Sequence, residues 1–357
     1  MTIVYWLIII NVAVMVHELA HYAAARAQGV KVKAFSLGMG PILLRRAYGS
    51  TEWRLSALPL GGYVDIEGLA ATPGPDGKLI QPSSGMARLS WAGKAVILAA
   101  GPLSNIVLAI LLVAGVLAIH GVAKMLPGPA GLQSVVSGSP AASAGLRSGD
   151  VITRLDGQPV TSFEQVRAAL RANGSHQLTI QNDGATREVS FHWAPAMKPN
   201  EKRPLFGIAF APTLVKVPVG EALWTSTSTL IGGIPPTIAL FGKGFLRVFS
   251  FSDPRQEPAD SRIMGPVGTI GAVSDFAQDG VAGLVTLAGL ISLSLGIFNL
   301  FPIPGLDGGR LVLITLASLR RRPLAPGQEE FINFLGFSFV IAFIVLVTFR
   351  DLSRLGS

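Results

Sequence analysis

The sequence contains no cysteine and few charged residues. Without cysteine, the 357-residue chain can form neither a disulfide bond nor a thiolate zinc site. Charged residues make up 14% of the chain and hydrophobic residues 50%, a balance typical of membrane proteins rather than soluble ones. Histidine occurs only five times, so two histidines in one motif are informative.

The net charge of +8 is explained by the positions of the basic residues. In a soluble protein such an excess would suggest binding to nucleic acid. Here the basic residues follow the first long apolar segment and precede the last one: Arg26, Lys31, Lys33, Arg45, Arg46, Arg54, Arg320, Arg321 and Arg322. Cytoplasmic loops of membrane proteins carry this kind of excess. We therefore expect a lipid bilayer, and no nucleic acid, as a partner of the chain.

Four apolar segments are long enough to cross a bilayer, namely residues 3–27, 94–119, 281–301 and 331–349. If the basic loops are cytoplasmic, both termini and residues 120–280 lie on the opposite side of the membrane. Residues 223–249 are a weaker candidate, because Pro235 and Pro236 interrupt them and cationic residues lie near their end. We predict that this segment is amphipathic and interfacial.

The first apolar segment contains His17, Glu18 and His21 in the pattern His-Glu-x-x-His. Residues four apart lie on one face of a helix, so two imidazole nitrogens can bind one metal ion. Glu18 then lies where it can act on a metal-bound water. Ionisable groups in hydrocarbon are costly unless something compensates for them, and a metal ion would do so. The alternative is a histidine pair that is hydrogen-bonded within a helix bundle.

The third apolar segment ends in a sequence that breaks a helix, at residues 299–309. Pro302 and Pro304 lack backbone donors, and the glycines that follow allow close approach of the backbone. Asp307 is the carboxylate at this break, and we predict that it is the third metal ligand. Two histidines, one carboxylate and an open fourth position are typical of a catalytic zinc site. The alternative is that Asp307 only caps a helix that begins at Gly308.

Two further regions have the composition of strands and turns. Residues 34–66 contain short extended runs bracketed by glycine and proline, which predicts hairpins. These form either an ordinary cytoplasmic loop or a sheet edge that dips toward the metal site. Residues 139–160 contain a short helix ended by Gly145 and a tight turn at Asp156 and Gly157, and they resemble a bacterial PDZ domain. Such a domain binds an extended peptide at a sheet edge, or here acts as a steric filter over the membrane site.

Seven features in this order carry a wider resemblance. They are His-Glu-x-x-His at 17–21, Phe-Ser-Leu-Gly-Met-Gly-Pro at 35–41, Leu-Pro-Leu-Gly-Gly-Tyr-Val at 58–64, Gly-Pro-Leu-Ser-Asn at 101–105, the PDZ-like segment, Met-Gly-Pro-Val-Gly at 264–268 and Asn-x-x-Pro-x-Pro-x-x-Asp-Gly-Gly at 299–309. Together they resemble the site-2 protease family of intramembrane zinc metalloproteases (peptidase M50), in particular its bacterial RseP-like branch. The chain departs from this pattern in having one PDZ domain where some relatives have two, and in Arg310, where histidine often stands.

The resemblance implies a site that binds Zn2+ and cleaves peptides. Its residues would be the zinc ligands His17, His21 and Asp307, the catalytic base Glu18, and the substrate-binding residues Asn299, Gly61, Gly62 and Tyr63. The implied substrate is the transmembrane helix of a single-span protein, either an anti-sigma factor in a stress response by regulated intramembrane proteolysis or a signal-peptide remnant. The implied location is the bacterial inner membrane, with the PDZ domain and both termini on the periplasmic side. A peptide C-terminus at the PDZ domain would be a further partner.

The expected fold is a polytopic α-helical membrane protein with about four transmembrane helices, a membrane-associated β-hairpin region and an inserted α+β PDZ domain. The predicted domains are an N-terminal membrane core (1–124), the PDZ domain (125–196), an amphipathic region (197–280) and a C-terminal membrane core (281–357). Two other functions stay open from the residues alone. The chain could be a non-catalytic PDZ-bearing membrane adaptor with a structural metal, or an ion transporter, since polar residues within a membrane also mark transport paths.

Overall fold

The computed structural model describes residues 1–73, 79–80, 82–171, 173–193, 206–249, 263–321 and 327–355. Arg322 of the basic cluster, residues 194–196 of the predicted PDZ domain and residues 197–205 and 250–262 of the region after it lie outside these ranges. The chain divides into two compact units. The first, called here the membrane unit, comprises Met1–Val116 and Val219–Ser357, and the second, the inserted unit, comprises Leu117–Pro218.

The described residues form helices and strands in both units. The helices are α1 (Thr2–Ala27), α2 (Trp91–His120), α3 (Pro140–Ser143), α4 (Phe163–Ala169), α5 (Val219–Val248), α6 (Pro266–Ala277), α7 (Gly280–Asn299), α8 (Asp307–Arg320) and α9 (Gln328–Leu355). The strands are β1 (Val32–Tyr48), β2 (Thr51–Ile66), β3 (Thr72–Pro73), β4 (Leu79–Ile80), β5 (Val122–Lys124), β6 (Ala130–Val135), β7 (Val151–Leu155), β8 (Gln158–Pro159), β9 (Gly174–Asn182), β10 (Ala185–Trp193), β11 (Ile208–Phe210) and β12 (Thr213–Val215).

Five helices among the described residues are long and apolar enough to cross a membrane: α1, α2, α5, α7 and α9. The pattern of exposure on α2 agrees with a lipid environment. Leu103, Val107 and Leu111 recur every four residues, and each is more than half exposed. Asn105 and Ala109, on another face of the same helix, are buried. A helix that is apolar on its outward face as well as its inward face is typical of a membrane span. The chain is therefore a polytopic membrane protein.

Helix α5 differs from the sequence-based expectation. Pro235 and Pro236 do not interrupt it, since it continues for 30 residues through both prolines. They remove the N–H groups that would bond to the carbonyls of Ile231 and Gly232, a loss that membrane helices tolerate. Because α5 has the length and composition of a span, it makes a fifth candidate beside the four that we predicted. The count of four, and the sidedness that depends on it, stay predictions.

The predicted hairpins of residues 34–66 form a single long hairpin of β1 and β2 that folds back on itself. Ala34 pairs with Asp65 on one side and with Glu52 on the other. Further along β1, Leu37 likewise pairs with Gly62 and with Leu55. The first half of β1 is therefore central, and the end of β2 from Gly62 forms an edge of this small sheet.

The predicted break after the third apolar segment is present. Helix α7 ends at Asn299, and α8 begins at Asp307, one residue earlier than the helix start that we considered. A Cβ atom added to Gly308 would collide with the carbonyl oxygen of Leu300, and one on Gly309 would collide with that of Ile303. The two glycines thus let the first turn of α8 pack directly on the backbone of the break. This packing fixes the position of Asp307.

The inserted unit has an antiparallel sheet with strand order β10-β9-β7-β6-β11, and β8 pairs with β7. The tight turn between β7 and β8 is formed by Asp156 and Gly157, both with positive φ, as an Asp-Gly turn requires. Leu178 and Ile180 of β9 pack with Val166 of α4 in its apolar core. The unit extends beyond the predicted 125–196 because β5 pairs with β12 and β11 pairs with β6. Its assignment as a PDZ domain stays a prediction.

Candidate metal centre

His17 and His21 of α1 converge with Asp307 of α8, although the two helices are about 290 residues apart in the chain. The Nε2 atom of His17 lies 3.1 Å from Oδ2 of Asp307, and Nε2 of His21 lies 3.3 Å from the same oxygen. The two Nε2 atoms are 3.1 Å apart. Both histidines are buried, and the Asp307 side chain retains 20% exposure. Three potential ligand atoms therefore converge on one small space.

The protonation of His21 explains why a cation fits this space. Its Nδ1 atom lies 2.7 Å from the carbonyl oxygen of Ile97. A carbonyl oxygen only accepts hydrogen bonds, so Nδ1 carries a proton, and when the ring is neutral Nε2 presents a lone pair. That lone pair faces the Asp307 carboxylate and the His17 ring. Such a set of acceptors repels unless a proton or a metal cation lies among them.

The geometry and chemistry of the three atoms suit zinc. Two ligand atoms that each lie about 2.0–2.1 Å from zinc at a tetrahedral angle are about 3.3 Å apart. The three observed separations, 3.1, 3.1 and 3.3 Å, are close to this value. Two imidazole nitrogens and one carboxylate oxygen are also a typical donor set for catalytic zinc. The residues present therefore fit a zinc ion held by His17, His21 and Asp307.

One face of α2 encloses the centre. Ile97, Gly101 and Asn105 recur every four residues, so they lie on the same side of the helix. A Cβ atom added to Gly101 would lie 2.7 Å from Nε2 of His17 and closer still to Nε2 of His21. The absence of a side chain at Gly101 thus leaves the room in which the two histidines meet. Asn105 is fully buried, and its amide lies 3.4 Å from Nδ1 of His17.

Glu18 lies between the metal ligands and the edge of the β1–β2 sheet. Its carboxylate lies near the side chains of His17, His21 and Asp307 and near the backbone of Val64. A Cβ atom added to Gly62 would lie 3.7 Å from Cγ of Glu18. The edge strand therefore passes beside the Glu18 side chain, and the absence of a side chain at Gly62 avoids a collision with the carbonyl oxygen of Ser36. Glu18 has the placement that a base beside a metal centre needs.

The four predicted substrate-binding residues lie at the end of α7 and in β2. Asn299 ends α7, and its amide donates to the carbonyl of Leu295 in its own helix. The hydroxyl of Tyr63 accepts a hydrogen bond from Arg54, and Gly61 has a positive φ at a bend of β2. Gly62 lies against Glu18. The roles of all four in substrate binding stay predictions.

The sequence analysis missed the contribution of α2. The Gly-Pro-Leu-Ser-Asn motif at 101–105 was noted as a shared feature, but no role was assigned to it. The available signal was the spacing: Gly101 and Asn105 are four residues apart, as are His17 and His21. Two helices that each present a four-residue repeat can align these positions face to face. Pairing them required the register between α1 and α2, which a single sequence does not give.

Comparisons with known proteins agree with this geometry. The model of peptidase family M50 matches residues 5–343. A protein of Agrobacterium fabrum, named as a zinc metalloprotease, is 30% identical over 99% of this chain and 96% of its own length. Metalloprotease MmpA of Caulobacter vibrioides is 32% identical over 98% of this chain and 94% of its own. A protein of Clostridium acetobutylicum, likewise named as a zinc metalloprotease, is 29% identical over 96% and 94%.

The family match covers almost the entire chain, including α1 with its histidines and α8 with Asp307. The relatives are similar over their full lengths, so the similarity does not rest on a single shared segment. The chain therefore belongs to peptidase family M50, the site-2 protease family, and is a membrane metalloprotease whose cofactor is zinc.

Proposed function

We propose that this protein is an intramembrane endopeptidase that cleaves the transmembrane segments of single-span membrane proteins. His17, His21 and Asp307 bind the zinc ion, and Glu18 is the catalytic base. The observation that carries the proposal is the convergence of the three ligand atoms within a small space beside Glu18. An adaptor or a transporter would not need a carboxylate at this place, next to both the ligands and an open sheet edge.

The position of the centre along α1 supports cleavage inside the bilayer. At 1.5 Å per residue, His17 lies about 22 Å from the start of α1 at Thr2 and about 15 Å from its end at Ala27. The hydrocarbon core is about 30 Å thick. A site at this depth cannot be reached by a soluble substrate, whereas a transmembrane helix can reach it laterally. We therefore infer that the substrate is itself a membrane segment.

The chemistry requires a base, a polarised carbonyl and water. Zinc, when bound, supplies Lewis-acid polarisation and lowers the pKa of water to near neutrality. Glu18 accepts the proton of the water that attacks the scissile carbonyl and then passes this proton to the amine that leaves. His21 is held in the required tautomer by its hydrogen bond to Ile97. The 20% exposure of the Asp307 side chain marks the side from which substrate and water approach.

A transmembrane helix hides its peptide carbonyls in its own hydrogen bonds, so the substrate must be unwound locally before cleavage. The edge of β2 at residues 62–64 can bind the unwound segment of the substrate. We infer that the unwound segment adds to this edge as an extended strand, where main-chain hydrogen bonds replace those of the helix. Its scissile carbonyl would then lie beside Glu18, because the edge passes next to that carboxylate.

The location and partners follow from the same proposal. The basic residues after α1 would face the cytoplasm of a bacterial inner membrane, and the inserted unit would lie on the periplasmic side. Its PDZ-like sheet would either bind the new C-terminus of a trimmed substrate or exclude substrates that have not been trimmed. Anti-sigma factors and signal-peptide remnants are the single-span substrates that the family resemblance suggests.

The decisive test uses Glu18→Gln in proteoliposomes with a model single-span substrate. We expect this variant to keep one zinc per chain and to lose cleavage by about 10²–10⁴-fold, the usual contribution of a general base. Glu164→Gln, an exposed position of the inserted unit, is the matched control and should cleave normally. Mass spectrometry should place the cut inside the transmembrane segment. Wild-type turnover by Glu18→Gln, or a cut outside that segment, would contradict the proposal.

A further inference from the structure

Asn105 of α2 lies beside the metal centre, on the Nδ1 side of the His17 ring. Asn105 is fully buried, and its amide lies 3.4 Å from Nδ1 of His17. With the amide nitrogen toward the ring, the buried Oδ1 atom has no hydrogen-bond partner among the described residues. The backbone carbonyl of Asn105 is held by the hydroxyl of Ser292 on α7, 2.9 Å away. Asn105 thus lies where α2 packs against α7.

We infer that Asn105 is a positioning residue that sets the tautomer of His17 by accepting the Nδ1–H hydrogen bond through Oδ1. The inference rests on the proposed role of His17 as a zinc ligand. An imidazole that binds zinc through Nε2 carries its proton on Nδ1. The group that faces Nδ1 must then be an acceptor. Rotating the Asn105 amide by 180° exchanges its oxygen and nitrogen and supplies that acceptor without moving the backbone.

The arrangement around His21 provides an internal comparison. There the Nδ1–H group is donated to the carbonyl oxygen of Ile97, which can only accept. Ile97 and Asn105 lie eight residues apart on the same face of α2, with Gly101 between them. Each therefore faces the Nδ1 atom of one histidine, and both Nε2 lone pairs point toward Asp307. The number of hydrogen bonds does not distinguish the two orientations of the Asn105 amide. The His17 tautomer that binds zinc through Nε2 does, because its Nδ1–H group needs the oxygen of the amide as acceptor.

The test measures zinc affinity by competition with a chelator in the purified full-length protein. Asn105→Leu keeps the approximate volume but removes the acceptor, and we expect zinc to bind about 10–100-fold more weakly. Asn105→Asp keeps an acceptor at the same place and should bind zinc within about threefold of wild type. Ser292→Ala, which removes only the hydrogen bond to the Asn105 backbone, is the control and should also stay within about threefold.

Two results would overturn the inference: wild-type zinc affinity in Asn105→Leu, or an equal loss in Asn105→Leu and Asn105→Asp. The second result would mean that packing, not the acceptor, matters. If Asn105→Leu does not fold, nitrogen-15 NMR of the histidines in zinc-loaded wild type decides. We expect the His17 Nδ1–H proton to have the downfield shift of a hydrogen-bonded proton, like that of His21, and the shift of a free Nδ1–H would contradict the inference. A wild type that binds no zinc would contradict the proposed function, whereas normal zinc binding in Asn105→Leu would contradict only this inference.

Discussion

Each unit of the molecule contains a carboxylate withdrawn from solvent, and the two differ in what surrounds them. Asp150 of the inserted unit is fully buried, and it accepts hydrogen bonds from the backbone of Arg147 and from the side chains of Asn182 and Arg187. Asp307 of the membrane unit retains 20% exposure, and its nearest polar neighbours are two ring nitrogens. One of these, on His21, presents a lone pair when the ring is neutral, because the other nitrogen of the ring is the donor.

The difference separates a structural carboxylate from a functional one. Asp150 accepts hydrogen bonds from enough donors to balance its charge, so contacts within the fold explain why this carboxylate is buried. Asp307 lies against two ring nitrogens that are acceptors when the rings are neutral and bind a metal, and a cation among the three atoms then balances its charge. The inserted unit buries apolar side chains and satisfies its polar ones. The membrane unit exposes apolar side chains on α2 and places polar groups inside, where ionisable residues usually mark function.

The largest effect that would sharpen this comparison is expected at Gly101. Gly101→Ala adds a methyl group that collides with Nε2 of both histidines, so we expect the variant to lose zinc, with an affinity at least about 100-fold below wild type, and to lose cleavage with it. Gly115→Ala is the matched control, because the same atom meets nothing within 4 Å on the same helix. Metal analysis of the two purified variants checks this. Equal zinc content in both would contradict the geometry of the centre.

The next effect is expected in the inserted unit. Asp150→Ala leaves the donors from Arg147, Asn182 and Arg187 without their acceptor, and we expect it to lower the free energy of opening of this unit by about 3 kcal/mol. Zinc content should stay at the wild-type value, since Asp150 serves the fold of its own unit. Hydrogen exchange in the full-length protein measures the free energy of local opening, and metal analysis measures the zinc content. Loss of zinc in this variant would break the distinction between the two carboxylates.

A smaller effect is expected at the edge strand. Val64→Pro removes a backbone N–H group from the edge strand near Glu18, and we expect about 10-fold slower cleavage with zinc retained. Leu43→Pro is the control, because Leu43 is exposed and falls between the paired residues Ile42 and Leu44, where the register of the hairpin shifts. Cleavage rates of the model substrate in proteoliposomes measure the difference. Unchanged cleavage by a folded, zinc-loaded Val64→Pro would refute strand addition at this edge.

The sequence predicted the features that depend on residues close together in the chain. The spacing of His17 and His21 placed them on one helical face, and the two prolines before Asp307 predicted a break between helices. The Asp-Gly turn of the inserted unit was likewise readable from two residues. In each of these features, a few neighbouring side chains decide the backbone conformation, so no tertiary information is needed.

The features that the sequence did not predict depend on packing between distant segments. Pro235 and Pro236 suggested an interruption, yet α5 continues through them. The pairing of β1 on both sides follows from how β2 folds back, which composition does not encode. The closeness of Gly101 and Asn105 to the histidines depends on the register between α1 and α2. These relations arise from contacts across the fold, and a single sequence carries no direct record of them.

The central claim is that two histidines of α1 and Asp307 of α8 hold one zinc ion. Zinc stoichiometry of purified Asp307→Ala, beside wild type, tests it most directly. Asp279→Ala, at the other end of α7, is the matched control because its side chain makes no capping hydrogen bond there. We predict one zinc per chain in wild type and in Asp279→Ala, and almost none in a folded Asp307→Ala. A folded Asp307→Ala that retains stoichiometric zinc at wild-type affinity would contradict the account.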